Sequence, residues 1–222
     1  EEMGTEVLTN LLSTTAMQRA LCLTSSDTAK LAISFWAHSL NCALISENIA
    51  IAAGYPFPEE AFIAGLIHDI GRLVLQTNQP GAYAQFPKTF RHEERLIEME
   101  QRIFGMTHAE IGARALRSWH VDSFLVDAVQ YHTESFSKIE TAFSLVQIVF
   151  LACRLCQSQE DDKEINQLGK ALFGLSPTQL QSLIANATDK TQQLADRFQI
   201  PLVVEHEADK TDETQTSFRN QA

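Results

Sequence analysis

The stretch Gly65-Leu66-Ile67-His68-Asp69-Ile70-Gly71 sets an imidazole and a carboxylate side by side in otherwise apolar sequence. Burying such a pair costs on the order of several kcal/mol unless a partner or a metal satisfies it. On a helix adjacent side chains point about 100° apart, so both can reach one ion only over the edge they share. Imidazole with carboxylate suits Zn, Fe, Mn or Ni, whereas Mg favours more oxygen ligands. The plainer reading is a structural pair, in which the carboxylate accepts from the imidazole and helps hold the interior together.

The apolar spacing around this stretch is helical nearly everywhere, and no segment alternates with period two between hairpin turns. An all-α protein is predicted. Residues 28–53 follow the cap-forming Thr24, Ser25, Ser26 and Asp27 and end at Gly54. The next helix starts near Pro58 and is expected to run on through Phe62, Leu66, Ile70 and Leu73. A third covers about 91–104 and stops at Gly105, after which Thr107 and Glu110 form a capping box for a fourth through Trp119. Asp122 caps a fifth. Residues 141–157 are apolar on most sides and predict a central buried helix. After an acidic linker, Ser176, Pro177 and Gln179 open a helix of roughly 177–199. The expected organisation is an N-terminal segment at 1–27, a helical core at 28–157, a helical extension at 158–203 and a polar, fraying tail at 204–222.

The chain has 222 residues, 45% of them hydrophobic, which suits one ordinary domain or a modest pair. Its net charge is −11, so a broad electrostatic grip on nucleic acid or on an anionic membrane is not expected. Residues 157–166 and 201–222 carry −6 of that charge. Four cysteines, Cys22, Cys42, Cys153 and Cys156, make no disulfide framework, and a reducing cytoplasm is the simplest compartment. The longest apolar runs are too short to span a bilayer. Cys153 and Cys156 form a lone Cys-x-x-Cys on one apolar helix face, read as core packing. Trp36 and Trp119 are read as anchors of the bundle.

Several motifs in order then resemble a known family. Trp36-Ala37-His38-Ser39, Glu60 through Gly71, Glu100, Phe104-Gly105-Met106-Thr107-His108-Ala109-Glu110-Ile111-Gly112-Ala113, Trp119 and Tyr131-His132 look like the HD superfamily. They are most similar to its HDOD branch, the HD-related output domains of bacterial signalling. The resemblance covers about residues 30–157, more loosely to 200, and implies an HD-type helical bundle. HDOD patterns usually hold further helices upstream, so the chain is expected to be trimmed or short.

In catalytic relatives a helix histidine, the His-Asp doublet and a later aspartate hold a divalent metal that activates water against a phosphoester. His38, His68 and Asp69 match three of those positions. The fourth falls in Leu151-Ala152-Cys153-Arg154, where Cys153 stands in place of the aspartate; a thiolate can still ligate a soft metal. His108 and His132 match the extra ligands of the HD-GYP branch, the cyclic-dinucleotide phosphodiesterases. That branch's His-His-Glu is here Tyr131-His132-Thr133, and its Gly-Tyr-Pro signature does not follow. Gly54-Tyr55-Pro56 spells the tripeptide before the doublet and reads as a helix stop and turn. Arg72 stands where relatives often carry Lys, and reads equally as a phosphate contact or a surface salt bridge. His92 and His120 lie outside the motifs and are read as solvated.

The resemblance therefore implies a regulatory module acting through a signalling protein or a nucleotide-type ligand. Its implied metal set is His38, His68, Asp69, His108 and His132, holding Fe, Mn, Zn, Ni or Mg, or no ion at all. The alternatives are a metal-dependent phosphohydrolase and a ligand-free scaffold.

Overall fold

Two glycines with left-handed backbone, Gly54 at φ +69° and Gly105 at φ +69°, end long helices where the apolar pattern stops. The computed structural model describes residues 26–83, 86, 93–157 and 162–197. All regular structure among them is helical: α1 (Ser26–Ala52), α2 (Pro58–Ile67), α3 (Ile70–Asn78), α4 (Pro80–Tyr83), α5 (Glu93–Phe104), α6 (His108–Ser118), α7 (Ser123–Tyr131), α8 (Phe136–Ile139), α9 (Ser144–Gln157), α10 (Lys163–Phe173) and α11 (Pro177–Arg197). The expected all-α HD-type bundle is the fold observed. His92, Cys22, His206 and the tail lie outside the described residues.

Helix α9 is the apolar axis. Its Leu145, Ile148, Val149, Phe150, Leu151 and Ala152 are buried, and it packs against α1, α2, α7 and α10. Trp36, Leu40, Ile45 and Ile49 of α1 and Phe62 of α2 complete this core, which Leu168, Leu180 and Ala187 of the C-terminal helices and Leu175 between them join. A smaller apolar cluster, Ala113, Leu116, Val126 and Val129, lies between α6 and α7, with Ile67 and Ile70 packed on it. The doublet His68-Asp69 is flanked by those two isoleucines.

The caps fall where the side chains dictate. Thr107 accepts from the Glu110 amide while Glu110 accepts from the Thr107 amide, and Asp122 accepts from the Phe124 amide. Ser176 and Gln179 form the same reciprocal pair at the start of α11.

Three expectations need correction. The helix from Pro58 does not run through to Leu73: it breaks at the doublet, where Asp69 has φ −96° and ψ 13°. That bridge conformation ends α2 and starts α3 in a new direction. The acidic linker is helical from Lys163, because Asp162 accepts from the amides of Glu164 and Ile165 as an N-cap. Trp119 is not an anchor. It is the C-cap of α6 and 59% exposed, and only Trp36 is buried.

Candidate metal centre

Five helices and one helix junction bring the polar groups of the site together. Helix α1 supplies His38, and the break between α2 and α3 supplies His68 and Asp69. Arg72 follows one turn into α3. The capping box at Thr107 sets His108 as the first residue of α6, and His132 is the C-cap of α7. Helix α5 contributes Glu100, and α9 contributes Cys153. His68, Asp69, Glu100, His108 and His132 are all no more than 1% exposed, while the His38 side chain is 9% exposed.

Three of the rings are fixed by the same device. His68 Nδ1 lies 2.6 Å from the Gly65 carbonyl oxygen and His132 Nδ1 lies 2.7 Å from that of Val129. His108 Nδ1 lies 2.7 Å from Glu100 Oε2. Each partner can only accept, so each Nδ1 carries the hydrogen and each Nε2 is left to face inward. Outer acceptors of this kind are what orient metal-binding imidazoles.

The inward nitrogens converge on Asp69. His38 and His68 Nε2 each lie 3.6 Å from Asp69 Oδ2. His108 and His132 Nε2 lie 3.3 and 3.6 Å from Oδ1. The His108 and His132 Nε2 atoms are 3.4 Å apart. Donor atoms bound about 2.1 Å from one tetrahedral ion sit roughly 3.4 Å from each other. His68 Nε2 and Asp69 Oδ1 are buried without a hydrogen-bond partner among the described residues, and Asp69 Oδ2 is met most closely by its ion pair with Arg72. Orphaned groups of this kind in a dry interior call for positive charge. The donor set of imidazole nitrogens and a carboxylate therefore fits a divalent cation.

Arg72 meets part of that demand. Its Nη1 lies 3.1 Å from Asp69 Oδ2, with the guanidinium buried, so it is neither a surface salt bridge nor open to a phosphate at the surface. Burial opposes ionisation of Asp69, yet Arg72 and His68 hold its carboxyl well below the usual carboxylate range. Burial drives His38 the other way, down to about 3, against the pull of Asp69. For His68 burial also works downward, but Cys42 and Asp69 outweigh it and raise the ring above its ordinary value.

All five expected ligands, His38, His68, Asp69, His108 and His132, thus meet in one cluster. Overlapping triads, His38-His68-Asp69 and Asp69-His108-His132, each keep their ligand atoms within 4.8 Å of one another. A third triad, His68-His132-Cys153, puts the cysteine of α9 beside the same rings. His120 is exposed on the far end of α6, as expected. The sequence reading gave Glu100 no role, although one signal was available. Glu100 follows Leu96 by four residues, which puts it on the same helix face as that apolar side chain, and the structure buries both.

A family model for the HDOD domain matches residues 2–135. No curated protein matches the sequence. Among solved structures, the chain is similar to a protein of Shewanella amazonensis SB2B provisionally named a phosphohydrolase, at 22% identity and a TM-score of 0.59, covering 75% of this chain and 64% of that one. It is also similar to the MmoQ response regulator of Methylococcus capsulatus str. Bath, at 24% identity and a TM-score of 0.57, covering 68% and 60%. A third, from Marinobacter aquaeolei VT8 and provisionally named a signal transduction protein, has 16% identity and a TM-score of 0.54, covering 75% and 38%. The chain thus spans less than two thirds of the length of each of these proteins, and what they share with it is the fold. No helix among the described residues is long and apolar enough to cross a membrane.

Proposed function

Because the chain belongs to the HDOD family, we propose that it is a regulatory module of signal transduction whose buried HD-type site holds a divalent metal. It acts by binding a signalling protein or a nucleotide-type ligand. His38, His68, Asp69, His108 and His132 are the ligands, with Glu100 orienting His108. Names given to two similar structures, a response regulator and a signal transduction protein, agree with this role.

The observation that carries the reading is the burial of the cluster. A catalytic metal keeps a position open to water and substrate, whereas here four of the five ligands are no more than 1% exposed and only an edge of His38 reaches the surface. A bound ion in such a place braces five helices and supplies charge that Asp69 requires beyond what Arg72 gives it.

The test is elemental mass spectrometry of protein purified without chelator, set beside a His68→Ala variant, with thermal melts before and after metal removal. At a free ion concentration of 100 Kd, binding contributes about 2.7 kcal/mol, which in a chain of this size raises the Tm by roughly 5–10 °C. Metal absent from both proteins, with no melting shift on adding Mn2+ or Zn2+, would defeat the proposal.

The second reading is a metal-dependent phosphohydrolase. It is favoured by the five ligands being brought together with an arginine beside them. A bound ion would then supply Lewis-acid charge and lower the pKa of a water molecule. Robust turnover of a nucleotide or cyclic dinucleotide, abolished in both His68→Ala and Asp69→Ala, would establish it over the regulatory reading.

A further inference from the structure

Cys153 sits on the inner face of α9 and is 3% exposed. Its Sγ belongs to a triad with His68 and His132 whose ligand atoms all lie within 4.8 Å of one another. Around an ion with metal–sulfur bonds of about 2.3 Å and metal–nitrogen bonds of about 2.1 Å, sulfur and nitrogen lie roughly 3.6 Å apart at a tetrahedral angle and at most about 4.4 Å apart across it. The 4.8 Å that bounds the triad lies a few tenths of an ångström beyond that limit. His68 Nε2 is fully buried and without a hydrogen-bond partner among the described residues. Gln157, one turn along α9, has Nε2 3.4 Å from Cys153 Sγ and donates to it. An N–H donor of this kind stabilises negative charge on sulfur, as outer partners do for ligating thiolates.

We propose that Cys153 Sγ is a ligand of the ion that His68 and His132 hold, adding sulfur to the donor set and so selecting Zn2+, Fe2+ or Co2+ over Mg2+. The inference rests on the metal reading above. Its chemistry is that of hard and soft donors: thiolate prefers borderline and soft ions, and Mg2+ prefers an all-oxygen shell with several waters. On ion uptake the S–H bond is lost, its proton passes to the buffer, and the sulfur lone pair binds the metal. Cys156 is the built-in comparison. It is half-buried on the same helix, with Asn41 Nδ2 3.9 Å from its Sγ, and it belongs to none of the ligand triads.

The experiment strips the full chain with chelator, titrates it with Co2+ alone and records absorption alongside metal content. A thiolate-to-cobalt charge-transfer band in the near ultraviolet should grow to one equivalent. It should be retained in Cys156→Ser and lost in Cys153→Ser. Zn2+ affinity of Cys153→Ser should fall by more than the roughly 10–100-fold that losing an outer-shell partner costs. Cys153→Asp should bind Co2+ without the band and become sensitive to competing Mg2+. Stoichiometric cobalt with no band, or a band that survives Cys153→Ser, overturns the inference and leaves the metal reading intact. No uptake of Co2+ or Zn2+ by the unaltered chain overturns the metal reading, and this inference with it.

Discussion

Glu100 holds His108 twice through one oxygen: Oε2 accepts from the backbone N–H and lies the same 2.7 Å from the ring Nδ1. The backbone donor is one of the N–H groups that the start of α6 leaves without an intrahelical partner. The carboxylate also rests at the positive end of that helix. A single buried acid therefore sets the position of the helix start and the orientation of the ring.

Glu100→Gln should separate these two tasks. The amide oxygen can take the place of Oε2 and accept both hydrogen bonds but brings no charge. Its NH2 group takes the place of Oε1, a buried atom with no hydrogen-bond partner among the described residues, where the new donor is left unsatisfied. Loss of metal affinity of about 10–100-fold is expected, with a stability cost of about 1–3 kcal/mol in the metal-free protein. Metal titration and chemical denaturation read the two effects separately. Unchanged affinity would mean that His108 is not a ligand.

Arg72→Met tests charge compensation at Asp69. Removing one partner of a buried ion pair costs on the order of 3–5 kcal/mol because the other charge is stranded. In metal-stripped protein the variant should show a loss of that size. In metal-loaded protein the ion supplies the missing charge, so the loss should be much smaller. Equal losses in both states, measured by denaturant midpoint, would show that the ion does not contact Asp69.

Gly71→Ala should damage the site without touching a ligand. Helices α3 and α6 cross so closely there that a Cβ would overlap the His108 carbonyl oxygen and come within 2.8 Å of the Gly112 amide nitrogen. These are backbone atoms, which cannot rotate away. Destabilisation of about 3 kcal/mol or more is expected, together with weaker metal binding as His108 is pushed from Asp69. A melt unchanged from the parent would contradict this crossing.

Acid should weaken the metal-stripped fold in two stages. His38 titrates near 6.5 when unfolded and at about 3 when folded, so between those values the unfolded chain binds the extra proton. Its stabilising contribution is full above pH 6.5 and falls as pH drops. Asp69, held below its ordinary 3.8, adds a further loss as pH falls through and below that value. His68 works oppositely: its raised value gives stability that is full below its unfolded pKa and fades as pH rises through the folded one. Denaturation at pH 7.5, 5 and 4 should show stability declining toward acid. His38→Gln should flatten the slope between the first two.

Much of this was legible in the sequence because local physics decided it. Thr107 with Glu110, Asp122, and Ser176 with Gln179 cap helices through atoms only two or three residues apart. The five residues that meet at the cluster could be named from their motifs because each lies on a helix or at its end. What the sequence did not disclose depends on contacts between distant segments. The break at His68-Asp69 interrupts a pattern that reads as continuous helix from Pro58 to Leu73, and only the packing of α3 on α6 turns the chain there. Arg72 reads equally as a phosphate contact or a surface salt bridge until Asp69 is seen 3.1 Å away. Trp119 reads as core on composition alone, yet it lies past the last turn of α6 and is exposed.

The same break makes the His68-Asp69 pair a joint. Helix α2, before it, leans on α1 and α9, whereas α3, after it, leans on α6. The doublet is thus the point where two separately seated parts of the bundle are fastened together, so that a substitution at either residue bears on both seats at once.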